Sequence, residues 1–304
     1  MEISREQFTH VGTNTQKAQA IVRPSMTYWQ DAWRRLKMSK VTMVSLGLII
    51  LLILMAIVAP FLTKHTYYDN NLSNINQMPN AEHWFGTDTL GRDMWARIWA
   101  GGRISLFIGF VCTFLEGTIG MLVGGASGYF GGKLDMFIMR TVDVLMGIPA
   151  LIIIILVSMV MGTGLNAMIF AIVISGWFAM ARLVRGQVFS LKEQEFVLAA
   201  KTLGASSSRL ILKHLIPNCL GVIIVSLTFR IPGNIFYEAF LSFIGLGVQP
   251  PMTSWGQLAA AGTLIYQTQP LQMFLPSVVI SLTMLSLQLL GDGLRDALDP
   301  KLRK

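Results

Sequence analysis

The chain has 304 residues, 53% hydrophobic and only 13% charged, with a mean hydropathy of +0.57. A soluble domain carries about 25% charged residues, so too few polar side chains remain to coat a globule, and a bilayer is the simple partner for the apolar excess. The formal charge of +8 suggests nucleic acid in a soluble protein but basic cytoplasmic loops in a membrane protein, and two cysteines with 28 aperiodic glycines exclude disulfide-scaffold and collagen-like classes.

Residues 1–40 are polar and hold seven Lys/Arg, which reads as a cytoplasmic N-terminal segment. Residues 41–63 carry no charge over 23 positions. At about 1.5 Å of rise per residue this is enough for a first membrane span, and the forty polar residues ahead of it argue against a cleaved signal peptide. Residues 64–103 read as an extracytoplasmic loop. Its Gly86-Thr-Asp88 and Gly91-Arg-Asp93 turns, with Arg92, could receive a partner outside or could simply fix a helix across the headgroups. Two carboxylates at 88 and 93 are weak evidence for a cation. His10, His65, His83 and His214 are scattered with no metal spacing.

Residues 104–304 read as the core. A second span covers 104–128, interrupted only by Glu116. Gly120, Gly124, Gly128 and Gly132 recur every fourth position there, giving a smooth helical face for a close neighbour. Residues 144–181 are uncharged over 38 positions, too long for one crossing, and the Met161-Gly-Thr-Gly-Leu-Asn166 break predicts a hairpin of spans three and four. Span five is expected over 219–248, broken at Pro232-Gly233. A loop over 249–269 could dip into the membrane surface, and span six covers 273–290.

The expected fold is therefore all-α with six transmembrane helices. Nineteen Lys/Arg fall on the face of the termini and four on the other, so both termini are expected in the cytoplasm. Topology thus accounts for the positive surplus, and nucleic acid loses its support. Charges within spans are costly and default to function. Glu116, Arg230 and Glu238 are candidates to line a pathway, the last two sharing a helical face, or else to pair with a partner subunit or snorkel to the interface. No nucleotide-binding glycine loop, nucleophile elbow, zinc-protease or dinucleotide motif is present. Energy for uphill transport would come from a partner or an ion gradient.

The cytoplasmic stretch 185–218 reads as two short helices. Phe196, Ala199, Ala200 and Leu203 recur at helical spacing, Gly204 fits a helix end, and Ser206 to Ser208 offer a cap for a second helix ending before Pro217. Such a loop could pack on its own bundle or seat in a groove of another protein. Glu195-Phe-Val-Leu-Ala-Ala-Lys-Thr-Leu-Gly204 with His214-Leu-Ile-Pro-Asn218 resembles the "EAA" loop of bacterial ABC importer permeases. Ala199, Ala200, Gly204 and Pro217 fall in register, and Glu195 matches the acidic position of the peptide branch. Leu198, His214 and Ile216 depart from the general pattern. His83 to Asp93 with Gly102-Arg-Ile-Ser-Leu106, Glu238 to Gly247 with Ser254-Trp-Gly256, and Gly291 to Pro300 resemble the C-type permeases of oligopeptide, dipeptide and nickel importers. Tyr28-Trp-Gln-Asp-Ala-Trp-Arg-Arg35 and the overall length look most like the oligopeptide members.

The resemblance implies a type I ABC importer permease in the inner membrane, carrying no cofactor of its own. It implies a second homologous permease subunit and two cytoplasmic ATPases that bind ATP and Mg. An extracytoplasmic peptide-binding protein would meet the loop of Asp88, Arg92 and Asp93. Glu195, Phe196, Ala199, Ala200, Leu203, Gly204 and Pro217 would form the ATPase-coupling interface. Nickel, dipeptide or glutathione import and, outside the family, a self-contained secondary transporter are the alternatives.

Overall fold

The structure is a computed structural model that describes residues 27–299; the cytoplasmic segment expected over 1–26 and the basic tail 300–304 lie outside the described residues. Ten helices of eight residues or more order the described chain: α1 (Tyr28–Met38), α2 (Lys40–Val58), α3 (Met94–Phe130), α4 (Gly132–Met146), α5 (Ala150–Met161), α6 (Leu165–Leu191), α7 (Glu195–Thr202), α8 (Ile216–Phe243), α9 (Trp255–Thr263) and α10 (Pro270–Leu298). Among the described residues there is no strand, only an isolated antiparallel bridge between Thr87 and Asp93. Five helical stretches are long and apolar enough to cross a membrane, and the bent pair α4–α5 makes a sixth.

Helix α2 continues through a 3-10 turn, Ala59–Phe61, so one apolar helical stretch runs from Lys40 to Phe61. The Gly162 and Gly164 break between α5 and α6 falls where expected, with φ of +85° and +129°. Four expectations are corrected. Helix α3 starts at Met94, so the outer loop ends at 93 rather than 103. Asp93 caps the helix by accepting from the Ala96 N–H at 2.8 Å. Arg97 and Arg103, which made this stretch look like loop, find partners in the preceding segment: Arg97 donates to the Tyr67 carbonyl through Nη1, and Arg103 donates to the Ala56 and Ile57 carbonyls at the end of α2.

The expected 129–143 loop is α4, and the third crossing bends by 88° at Gly147-Ile148-Pro149, where the residue before a proline is pushed out of the helical region. Helix α6 runs to Leu191, so Arg182 and Arg185 are helical and not loop residues. Arg185 pairs with Asp135 of α4 at 2.5 Å, and Arg182 pairs with Asp143.

Lastly, span five is not broken. A single turn at Ser207–Arg209 and a π-helical segment, Leu210–Leu215, run directly into α8. The wide π turn delivers Pro217 to the first turn of the α-helical part, where a missing N–H costs least. Pro232 sits inside α8 and is held there by packing on α3. Ile231 and Ile235 back onto Gly109, and Arg230 and Asn234 are tied to α3 residues on either side. The loop after span five contains α9.

Helices α3, α6, α8 and α10 form the bundle around which the rest is arranged. Gly120, Gly124 and Gly128 of α3 face α6 directly. A Cβ on Gly128 would lie 2.8 Å from the Arg185 carbonyl, and one on Gly120 would lie 2.5 Å from Met180 Cβ. The small-residue face is thus an internal helix contact. Gly132, the fourth of the series, opens α4 at φ +57° with open space around it.

Candidate functional site

Three groups of residues with chemistry are brought together, one at the cytoplasmic end, one inside the bundle and one on the outer loop. At the cytoplasmic end, α7 is closed by a Schellman turn. The Ala205 N–H donates to the Ala200 carbonyl and the Gly204 N–H to the Lys201 carbonyl, at 3.1 and 3.0 Å. Gly204 sits at φ +83° with nothing within 4 Å of a would-be Cβ, so the glycine serves the backbone turn. Val197 is buried and Ala200 half-buried against Leu210, Ile211 and Leu215. Phe196, Ala199 and the C-cap residue Leu203 lie on the neighbouring side and are exposed, Leu203 by 88%. An eight-residue helix therefore rests on the bundle by one edge and offers an apolar stripe outward.

Inside the bundle, Arg230 of α8 meets Glu116 of α3. Its Nε and Nη2 donate to Glu116 Oε2 at 3.0 and 2.8 Å, and Nη2 also donates to the Gly176 carbonyl of α6 at 2.6 Å. The Asn234 amide lies 3.0 Å from Thr113 Oγ1 and 3.3 Å from Glu116 Oε1. Glu116 is buried, whereas the Arg230 side chain is 30% exposed. It opens on a cavity of about 640 Å³ lined by Leu183, Ser226, Phe229, Gln288, Asp292 and Arg295. The three candidate charges thus separate: Arg230 reaches the cavity, and Glu116 lies behind it as its counter-ion.

Glu238 does not line that cavity. It is fully buried, accepting from Ser105 Oγ at 2.7 Å and from Ser242 Oγ at 2.9 Å. Ser105 in turn accepts from the Trp255 N–H, and the Trp255 indole donates to the Ile98 carbonyl at 2.9 Å. Gly102 lies against the Trp255 ring and Gly256 against the Ala239 backbone. The stretches Gly102 to Leu106, Glu238 to Gly247 and Ser254 to Gly256, far apart in sequence, therefore meet in one brace that joins α3, α8 and α9.

A family model described as the binding-protein-dependent transport system inner membrane component matches residues 118–304, and one described as the N-terminal TM domain of oligopeptide transport permease C matches 27–79. The dipeptide transport system permease protein DppC of Bacillus subtilis is 46% identical over 304 residues, covering 100% of this chain and 95% of that protein. The chain belongs to the binding-protein-dependent inner-membrane permease family. The oligopeptide transport system permease protein OppC of the same organism is also 46% identical, over 302 residues and 99% of both chains. The glutathione transport system permease protein GsiD of Escherichia coli is 40% identical over 291 residues, covering 94% of this chain and 95% of that one. In fold the permease is similar to a chain of the MetNI methionine ABC transporter in inward-facing conformations, with TM-score 0.54, 22% identity, and 68% and 97% of the two chains covered.

The protein is thus an integral inner-membrane ABC importer permease of the peptide, dipeptide and glutathione branch, a family that works with ATPase and substrate-binding partners.

On the permease's outer loop, Asp88 and Asp93 are mostly consumed internally. Asp88 accepts from the Leu90 and Arg92 N–H groups and from Arg92 Nε at 2.7 Å, and stands 3.4 Å from Arg97. Asp93 accepts from His83 Nδ1 as well as capping α3. Gln272 of α10 ties the loop down by donating to the Thr87 carbonyl at 2.9 Å. Arg92 remains partly exposed. Sequence reading missed the grouping of His65, Glu82 and His83, the ion pairs of α4 with α6, and the serine partners of Glu238. His83 preceding the Trp84-Phe85-Gly86 turn was the one available hint for the first. Apart from Ser242, four positions after Glu238 on the same helix, the others bridge residues 39 to 133 positions apart and leave no local pattern.

Proposed function

We propose that this permease forms half of a pathway for oligopeptides together with a second, homologous permease, and that α7 seats in a groove on a cytoplasmic ATPase. The supporting observation is the exposed stripe of Phe196, Ala199 and Leu203 on a helix anchored at its other edge by Val197 and Ala200. That anchor is the π segment which continues without interruption into α8. Motion imposed on α7 by nucleotide-driven closure of the ATPases would act on the helix that carries Arg230, whose guanidinium faces the cavity. There it can meet a peptide carboxylate or backbone carbonyl. Two packings of the bundle biased by nucleotide then give alternating access. Oligopeptide substrates are favoured by the match of residues 27–79 to the oligopeptide permease C domain. The equal 46% identity to a dipeptide permease keeps dipeptides as the competing reading.

The experiment is uptake and ATP hydrolysis by the complete transporter in proteoliposomes, comparing wild type with Leu203→Asp. The exposed position should leave insertion and assembly of the permease pair intact, while uptake falls and hydrolysis is no longer stimulated by peptide-loaded binding protein. Normal uptake by the variant rules out docking through α7. Competition by peptides of two to six residues separates the substrate readings.

A further inference from the structure

The outer loop between α2 and α3 holds a grouping to which the proposed function assigns no role. His65 lies just beyond the end of α2, and Glu82 and His83 lie in the turn before α3. One ligand atom from each of the three lies within 4.8 Å of the others. His65 Nε2 is 3.7 Å from Glu82 Oε1, and the two imidazole rings are 4.4 Å apart between centroids.

His83 carries the decisive feature. Its side chain is only 3% exposed, and Nδ1 pairs with Asp93 Oδ1 at 2.9 Å. Asp93 Oδ2 is itself fixed by the Ala96 N–H at the start of α3. A carboxylate on Nδ1 sets the tautomer and leaves the Nε2 lone pair as the free atom, the arrangement that orients metal-binding histidines. Nε2 is buried and finds no hydrogen-bond partner among the described residues. A buried lone pair without a donor is costly, and a cation at this point would satisfy it. With Nδ1 taken by Asp93, Nε2 is the atom left to His83 for that purpose.

We propose that His65, Glu82 and His83 bind one zinc-class divalent cation that staples the outer loop. Two imidazoles and one carboxylate suit zinc or a neighbouring transition metal and not calcium or magnesium, which take oxygen ligands. Zinc bonds of about 2.0–2.2 Å place tetrahedral ligands roughly 3.5 Å apart. Closing the set therefore asks only the two accessible side chains to turn, His65 at 30% and Glu82 at 71% exposure, towards a fixed His83. Water completes the fourth position. The bound ion would tie the segment leaving α2 to the turn that holds the α3 cap, so its effect is on the order of the loop.

The test uses the untagged full-length chain in detergent, stripped with chelator and titrated with ZnCl2 by calorimetry, with cobalt(II) absorption reporting tetrahedral geometry. Expected are one site per chain, a tetrahedral cobalt spectrum, and no response to calcium or magnesium. His65→Ala and Glu82→Gln are expected to weaken binding by about tenfold or more, as even outer-shell changes at metal sites do. His214→Ala, on the far side of the membrane, is expected to bind like wild type. Zinc should also slow proteolysis of the outer loop in wild type and not in His65→Ala. Absence of a one-to-one site, an octahedral cobalt spectrum, or unchanged affinity in both His65→Ala and Glu82→Gln would overturn the proposal.

Discussion

Replacing Arg230 by leucine removes three hydrogen bonds at once, two to Glu116 and one to the Gly176 carbonyl. What remains is a carboxylate that is 1% exposed, with Asn234 as its nearest polar neighbour. Breaking a buried ion pair by deleting one partner costs about 3–5 kcal/mol. Here the Arg230 side chain is 30% exposed on the cavity, so water admitted there brings the expectation to roughly 2–3 kcal/mol. Glu116→Gln alone removes the charge but keeps an acceptor near the guanidinium, and roughly 1–2 kcal/mol is expected. Because the two residues touch, the double variant should cost less than the sum of the single ones, with a coupling of at least about 1 kcal/mol. The assay is reversible unfolding of the purified permease in mixed micelles, titrated with SDS. Arg230→Leu costing less than about 0.5 kcal/mol, or strictly additive effects, would refute the view that this pair fixes α3 to α8 within the membrane.

Other outcomes follow from the same packing. Gly124 backs onto the Ala181 backbone carbonyl, whereas Gly233 has open space around it. Gly124→Val should therefore abolish folded, monodisperse permease on size exclusion, while Gly233→Ala should be tolerated. Ser105→Ala removes one of the two hydroxyls that hold Glu238 and orphans the Trp255 N–H. It should cost about 1–3 kcal/mol in the same unfolding assay, and Ser226→Ala on the cavity wall should cost less than 0.5 kcal/mol.

The spans were legible because hydrocarbon thickness dictates their length and their composition. The stripe of α7 was legible for a similar reason: Phe196, Ala199 and Leu203 share a face on any helix, whatever lies around them. What hydropathy could not give were the places where long-range contacts override a local signal. Arg97 and Arg103 look like loop residues until the carbonyls of Tyr67, Ala56 and Ile57 arrive from the preceding segment. Pro232-Gly233 reads as a break, yet packing on α3 carries α8 through it. Conversely, Gly147-Ile148-Pro149 turns the chain by 88° near the start of the uncharged run, where no bend was expected ahead of the hairpin at Gly162. Glu238 was singled out as a charge within a span, but its partners Ser105 and Ser242 make it a brace of the bundle. Only the fold could show that Arg230 and Glu238, two turns apart on one helix, face different surroundings.

The central claim is that α7 touches another protein with one face and its own bundle with the other. Single cysteines at 203 and 197 in a background lacking Cys112 and Cys219 test this directly, through thiol-reactive cross-linking in membranes that contain the assembled transporter. Both native thiols are buried, at 0% and 1% exposure, so small replacements there need not disturb the surface. The expected result is that Leu203→Cys joins to an ATPase subunit and that nucleotide changes its yield, while Val197→Cys joins to none. Cross-linking of neither position to an ATPase, with peptide uptake intact in the Leu203→Cys transporter, would contradict it.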